Sequence, residues 1–312
     1  MPATRPNVEF VIPSFDKFEE RFLTIQRNRD INHIVYRGQS EASWSLVAPL
    51  FRNYPDDKTY SFKWVSEKIT KEFHDVQEFA IMADKMGFNL PGDIARLFNT
   101  RKFDLSENIN WYYDESNDLI ELVTLAQHHG VQTRFLDFTF NPYVALFFAA
   151  EGAVRRLLGE IEMDTSSIHH FSLYLIDRMY LFNPECRVRH FVLPTARNVY
   201  LNSQSGLFLR PPLPSYDSEE FRKKHFDLQE AVIDDCNEIV KLGEGFKNIW
   251  PVFYKFLFPF EIAPDVLREL DRRKGVNLTT IKPNLDNIVP YKSFREKVNN
   301  KWAEIKDKKD SA

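Results

Sequence analysis

The 312-residue chain has only two cysteines, Cys186 and Cys236, and neither belongs to a CxxC pair. That argues against a disulfide framework and a structural zinc, and fits a reducing compartment. No apolar run is long enough to cross a bilayer, since the longest spans only Tyr143 to Ala150. Met1 to Phe10 lacks a basic stretch followed by an apolar one, so no signal peptide is expected and a cytoplasmic location is. Positive charge is not in excess: the formal net charge is -4 and the pI about 6.1. Neither nucleic acid nor an anionic membrane is therefore favoured as a partner. No GxSxG, HExxH, Walker loop or GxGxxG is present, which removes the catalytic classes those motifs signal. Gly/Ser linkers, low-complexity tracts and internal repeats are also absent.

What remains is core-forming material. Hydrophobic residues make up 43% of the chain and aromatic ones 14%, with 28 phenylalanines, which is enough for a sizeable globular core. The pattern predicts strands at Ile31 to Tyr36, Thr133 to Thr139, Phe171 to Ile176, Arg189 to Leu193, Val199 to Asn202 and Val252 to Phe258. Helices are predicted over Asp118 to Gln127, stopped by Gly130, and over Tyr143 to Leu158, opened by Asn141 and Pro142. Asp217 and Glu220 have capping-box spacing before a further helix, and a short helix from Asp265 to Lys274 is expected to stop at Gly275. Helices and strands do not alternate strictly, so the expected class is α+β: one domain with a mixed or antiparallel sheet flanked by helices. Residues 1–30 read as a lead-in, 31–293 as the domain with a helical insertion at 62–112, and 294–312 as a charged tail forming a frayed surface helix.

Two apolar regions carry polar residues that folding alone would not place there: Tyr36-Arg37-Gly38-Gln39, and Ala126 to Gly130 followed by Thr133 to Thr139. A buried Arg or Asp is costly unless paired, so these residues either pair with one another or meet a ligand. Strand alternation puts His33, Val35, Arg37 and Gln39 on one face, and Asp137 and Thr139 together on one face of theirs. If the two strands are neighbours, Arg37 and Asp137 can line one cleft. The competing reading pairs Asp137 with Arg37 or Arg134 and makes Thr139 a turn residue. His128 and His129 are adjacent rather than four apart, so no metal is expected.

These blocks resemble the FRG domain, named for a Phe-Arg-Gly run that stands here as Tyr36-Arg37-Gly38. The second block, AQHHGVQTRFLDFTFNPYVALFFA from Ala126 to Ala149, is similar to that family's long middle motif, with Phe138 for its Trp and Gln132 for its Pro. A Q-x-G-x-F block appears as Gln204 to Phe208, and the resemblance spans about Ile31 to Tyr291. A looser similarity of residue order is to ADP-ribosyltransferases. It lies in an Arg on a first strand, a hydroxyl-bearing strand running into an Ala-x-x-Phe-Ala helix, and a third element that here begins at Gln204.

This second resemblance implies NAD or a related nucleotide as ligand, and glycosidic cleavage or ADP-ribosyl transfer to an unspecified protein acceptor. It makes Arg37, Asp137, Thr139, Gln204 and Glu261 the candidate catalytic residues. Gly38, Gln39, Gln127, His128, His129 and Arg134 become candidate ligand contacts. Cleaving the nicotinamide–ribose bond builds positive charge that a carboxylate stabilises, and Gln204 brings none. Either another acid, Asp137 or Glu261, serves, or the domain is a non-enzymatic module that recognises a nucleotide or a protein. The sequence leaves both open.

Overall fold

The computed structural model describes residues 7–28, 33–54, 58–92, 119–162, 169–183, 186–194, 199–212, 221–222, 226–241 and 251–311. Among them a mixed seven-stranded sheet carries the architecture. Its strands are β1 (Asn7–Val11), β2 (Ile34–Gln39), β4 (Leu136–Thr139), β5 (His170–Asp177), β6 (Arg189–Phe191), β7 (Gly206–Arg210) and β9 (Phe253–Pro259). They lie in the order β1-β9-β5-β2-β4-β7-β6. Only the β1–β9 pair is parallel. Two further short strands, β3 (Thr59–Tyr60) and β8 (Phe221–Arg222), pair separately. The fold is α+β, as the interspersed pattern predicts.

Helices cover both faces. On one side α1 (Phe15–Asn28), α4 (Pro142–Leu157), α7 (Ala263–Glu269) and α9 (Ile288–Asp310) bury Phe18, Phe22, Leu146, Val266 and Phe294 with Ile34 and Tyr36 of β2. On the other, α2 (Phe62–Lys85), α3 (Leu119–His128) and α6 (Leu228–Lys241) bury Phe73, Leu122 and Val232 with Val35 of β2 and Leu136 and Phe138 of β4. Strand β5, with its middle buried on both faces, carries the apolar run Leu173 to Ile176, as a doubly covered strand should. Residues 7–28 are built into the fold: β1 forms a sheet edge, and Phe15, Phe18, Phe22 and Ile25 of α1 form a buried stripe at helical spacing.

The sheet is not continuous in its hydrogen bonding. Strands β2 and β5 register over six pairs from Ile34↔Asp177 to Gln39↔Ser172, and β4 and β7 over four from Leu136↔Leu209 to Thr139↔Gly206. Between these halves, β2 and β4 register at one pair only, Tyr36↔Thr139. A seam therefore runs through the middle of the sheet.

Helix α4 lies over the β2 side of that seam. Asn141 caps it by accepting the Tyr143 N–H at 3.0 Å, and Pro142 takes a position whose N–H has no helical partner. The helix sits so close that a Cβ on Gly38 would stand 1.9 Å from the Ala145 carbonyl oxygen. The glycine of the Tyr-Arg-Gly run is thus fixed by helix-on-strand packing.

Several local expectations are corrected. Val199 to Asn202 is helix α5 (Val199–Ser203), not a strand. Its short apolar run suits either state, and burial of Leu201 decides it. The strand expected from Thr133 begins only at Leu136, because Thr133 and Arg134 bond laterally to other elements. The helix from Ala263 continues as a wider π-turn, Leu270–Lys274, and stops at left-handed Gly275 with φ 65°, as expected. The charged tail belongs to α9, anchored by buried Phe294 and Val298 and by Trp302 Nε1 donating to Asp265 at 3.1 Å. The Asp217–Glu220 cap and the 93–112 part of the expected insertion lie outside the described residues.

Gly38→Ala should destabilise the protein by about 3 kcal/mol, the upper end for overpacking, because the obstacle is a backbone carbonyl and not a side chain that can swing away. The check is the denaturation midpoint by circular dichroism. A midpoint equal to that of the parent would show that α4 can ride up without cost.

Candidate functional site

A cleft of about 320 Å³ opens at the seam, lined by Arg37, Asp137, Thr139, His128, Gln204 and Lys282, with Tyr36, Gly38, Gln127, Phe138, Val144, Ala145 and Phe148 completing the wall. It draws on β2, β4, α3, α4, the α5–β7 turn and the residue after the short helix α8 (Leu278–Ile281).

Arg37 and Asp137 meet, though not by sharing a strand face. Arg37 follows Val35 onto the α2–α3 side, where its guanidinium lies 5.9 Å from the Phe138 ring centre. Asp137 alternates with Leu136 and Phe138 and so belongs to the opposite side. Contact is made across the seam. Arg37 Nη1 donates to the Asp137 carbonyl oxygen at 2.5 Å, one step from the single backbone pair, and stands 3.9 Å from its Oδ2. Burial holds the Arg37 guanidinium below its usual range, at about 10, while Asp137 pulls it up and Arg52 down. It stays charged at neutral pH. Arg37 Nε is buried with no hydrogen-bond partner among the described residues.

The Asp137 carboxylate is largely in solvent, with 61% of the side chain exposed, yet it is oriented from below. Gln127 Nε2 donates to Asp137 Oδ1 at 2.7 Å, and Gln127 Oε1 accepts from the Thr133 hydroxyl. That hydroxyl already accepts the Phe135 N–H at 3.2 Å, so its own hydrogen points to Gln127. The relay fixes the amide so that its NH₂ faces the carboxylate. In the sequence Thr133 reads only as the first residue of a strand and not as a site residue, since a hydroxyl at a strand end carries no distinguishing signal.

Thr139 and Gln204 are tied to each other. The Thr139 hydroxyl donates to the Gln204 carbonyl at 2.5 Å and accepts the Asn141 N–H at 2.9 Å, joining the end of β4 to the start of α4 and to the turn before β7. The Gln204 side chain points to Ile281, donating from Nε2 to its carbonyl at 3.4 Å. Ser205 makes the turn with φ 47°, and Gly206 packs where a Cβ would meet Leu201 at 2.5 Å.

His128 stacks on Tyr200 with ring centres 4.4 Å apart. Burial first, then the His129 and Lys282 charges, lower its pKa, with Asp137 opposing them. Lys282 is the functional candidate that the sequence reading missed: it stands alone between Ile281 and Pro283, in no motif.

Four expected residues lie outside the cleft. Gln39 is buried and donates to the Ser45 carbonyl at 3.3 Å. His129 stacks on Phe79 at 5.7 Å. Arg134 is buried against Glu72 at 3.3 Å, and Glu72 also accepts the Arg134 N–H at 2.9 Å, tying α2 to the lead into β4. Glu261 is exposed on the turn after β9. Among the described residues no group of three or more His, Cys, Asp or Glu side chains could hold a metal ion.

Because the folded-state pKa of His128 lies below the ordinary 6.5, the unfolded chain binds its proton first as pH falls. The stability linked to His128 is therefore present above pH 6.5 and lost progressively below it. Unfolding free energies measured between pH 7.5 and 5 should fall less steeply for His128→Gln than for the parent; parallel curves would show that His128 is not held neutral.

The family model of the FRG domain matches residues 32–156, which takes in β2, α3, β4 and all but the last residue of α4 but neither Gln204 nor Lys282. Comparisons with curated proteins and with solved structures gave no match. With Arg37, Gly38, Asp137 and Thr139 all inside the matched segment, and four of the cleft's elements with them, the chain contains an FRG domain over residues 32–156.

Proposed function

We propose that the seam cleft binds a nucleotide, NAD or a relative of it, with ligand phosphate on Arg37 and with Asp137 as the carboxylate available to the glycosidic carbon. The observation that carries this reading is a largely buried, charged guanidinium beside an oriented but solvent-facing carboxylate, in a concave site whose remaining wall sets polar side chains beside the apolar Phe138, Val144, Ala145 and Phe148. That combination suits a ligand having both an anion and a ring. Asp137 is the one carboxylate lining the cleft among the described residues. Charge stabilisation of an oxocarbenium-like state rests on it, and Glu261 has no part in that step.

A recognition module that binds without cleavage is the second reading. It is favoured by the third element, where Gln204 presents an amide that is itself bonded to the Ile281 carbonyl, so no second carboxylate faces the site.

Calorimetry with NAD and ADP-ribose, together with an assay of free nicotinamide, separates the two. Arg37→Ala should weaken binding by roughly ten- to a hundredfold, the loss of one charge-assisted contact of about 1.5–3 kcal/mol. Asp137→Asn should suppress nicotinamide release while holding affinity within about threefold, and Glu261→Gln should alter neither. Binding without release in the parent supports the recognition module. Failure of both nucleotides to bind overturns the nucleotide reading.

A further inference from the structure

Lys282 is delivered to the cleft by a firmly held turn. Helix α8 opens with a capping box in which the Asn277 side chain accepts the Thr279 and Thr280 N–H groups at 3.0 and 3.2 Å. It closes with the Lys282 N–H bonded to the Leu278 carbonyl at 2.9 Å. The carbonyl before it, that of Ile281, accepts from Ser203 Oγ at 2.8 Å and Gln204 Nε2 at 3.4 Å. The Lys282 carbonyl itself accepts from Asn287 Nδ2 at 2.8 Å. The backbone is therefore fixed by elements on both sides, and the half-buried side chain enters the cleft.

Its ammonium has no carboxylate within ion-pair distance among the described residues, and the Phe148 ring centre lies 6.0 Å from Nζ. Other partly covered lysines differ. Lys274 meets Glu19 at 2.7 Å and Lys301 meets Glu304 at 3.0 Å. A lysine placed for stability alone would be expected to have such a partner. Inside the cleft, Arg37 is the other cation, and the single carboxylate, Asp137, is engaged by Gln127 and Arg37. In a chain of net charge -4, this pocket holds two cations against one anion.

We infer that Lys282 and Arg37 together form a two-cation clamp for a pyrophosphate, one phosphate to each side chain, so that the cleft selects ligands with two linked phosphates over those with one. This deepens the nucleotide reading, and rests on it for the nucleoside but not for the phosphates. Arg37 supplies a planar fork of donors from the floor of the seam, and Lys282 a mobile point charge from the rim. The Ser203 and Gln204 bonds to Ile281 make these two residues positioning residues for the clamp. That gives Gln204, neutral and unable to stabilise an oxocarbenium ion, a function that its side chain can perform.

The test is calorimetry on the full chain with inorganic pyrophosphate and inorganic phosphate, using the parent, Lys282→Met and Lys282→Arg, with melting temperatures confirming that each is folded. The parent should bind pyrophosphate more tightly than phosphate. Lys282→Met should weaken pyrophosphate by roughly ten- to a hundredfold and abolish the preference, while Lys282→Arg should stay within about threefold of the parent. A parent that does not prefer pyrophosphate, or a Lys282→Met variant that still does, overturns the clamp. NAD and ADP-ribose titrated alongside keep the two conclusions apart. Lys282-dependent pyrophosphate binding with neither dinucleotide bound sinks the nucleotide reading and leaves the clamp. Arg37-dependent dinucleotide binding untouched by Lys282→Met sinks the clamp and leaves the nucleotide reading.

Discussion

The hydrogen bond from the Arg37 guanidinium to the Asp137 carbonyl joins two half-sheets that otherwise share one backbone pair, Tyr36↔Thr139. Strands β1, β9, β5 and β2 form one half and β4, β7 and β6 the other, each with continuous ladders inside. A sheet interrupted this way leaves backbone groups at the break that need partners, since a buried unpaired carbonyl costs about 1–3 kcal/mol. Arg37 serves one of them with a side chain, and the cleft opens at that break. The same residue closes the seam and charges it.

Around that bond the other contacts are arranged as supports. Gly38 lets α4 rest on the seam, and Thr139 ties the end of β4 to the start of α4 and to the turn bearing Gln204. Thr133 and Gln127 orient the Asp137 carboxylate, and the buried Arg134–Glu72 pair fixes the approach to β4 from α2. Removing one partner of such a buried pair is far more disruptive than losing a surface bridge, so these polar residues are structural without being idle. Much of the polar content that stands out in the apolar blocks is accounted for here. Only Arg37, Asp137, His128 and Lys282 keep chemistry facing the open cleft.

That division was only partly legible beforehand. The FRG-like blocks identify Arg37, Gly38, Gln127, His128, Asp137 and Thr139, and all six line the cleft. Gln39, His129 and Arg134 belong to the same blocks and do not, because adjacency in sequence turns neighbouring side chains in different directions. Glu261 was weighed for its carboxylate alone, with nothing to say how far the turn after β9 lies from the seam. Lys282 stands far from every motif, and only the α8 turn, pinned by Ser203 and Gln204, brings it in.

The sequence by itself determined the class of fold, the helix that Asn141 and Pro142 open, the stop at Gly275 and the segment containing the seam. Those features are local: period, caps, turn residues and one long motif carry them over a few residues each. Tertiary structure alone decided that residues 7–28 belong to the core, that Val199 to Ser203 coil as a helix, and that the sheet breaks between β2 and β4. It also decided that Arg37 and Asp137 meet across that break from opposite strand faces. Each of those outcomes depends on partners tens to hundreds of residues away, and alternation within one strand says which side a residue leaves from but not where the neighbouring strand has parted.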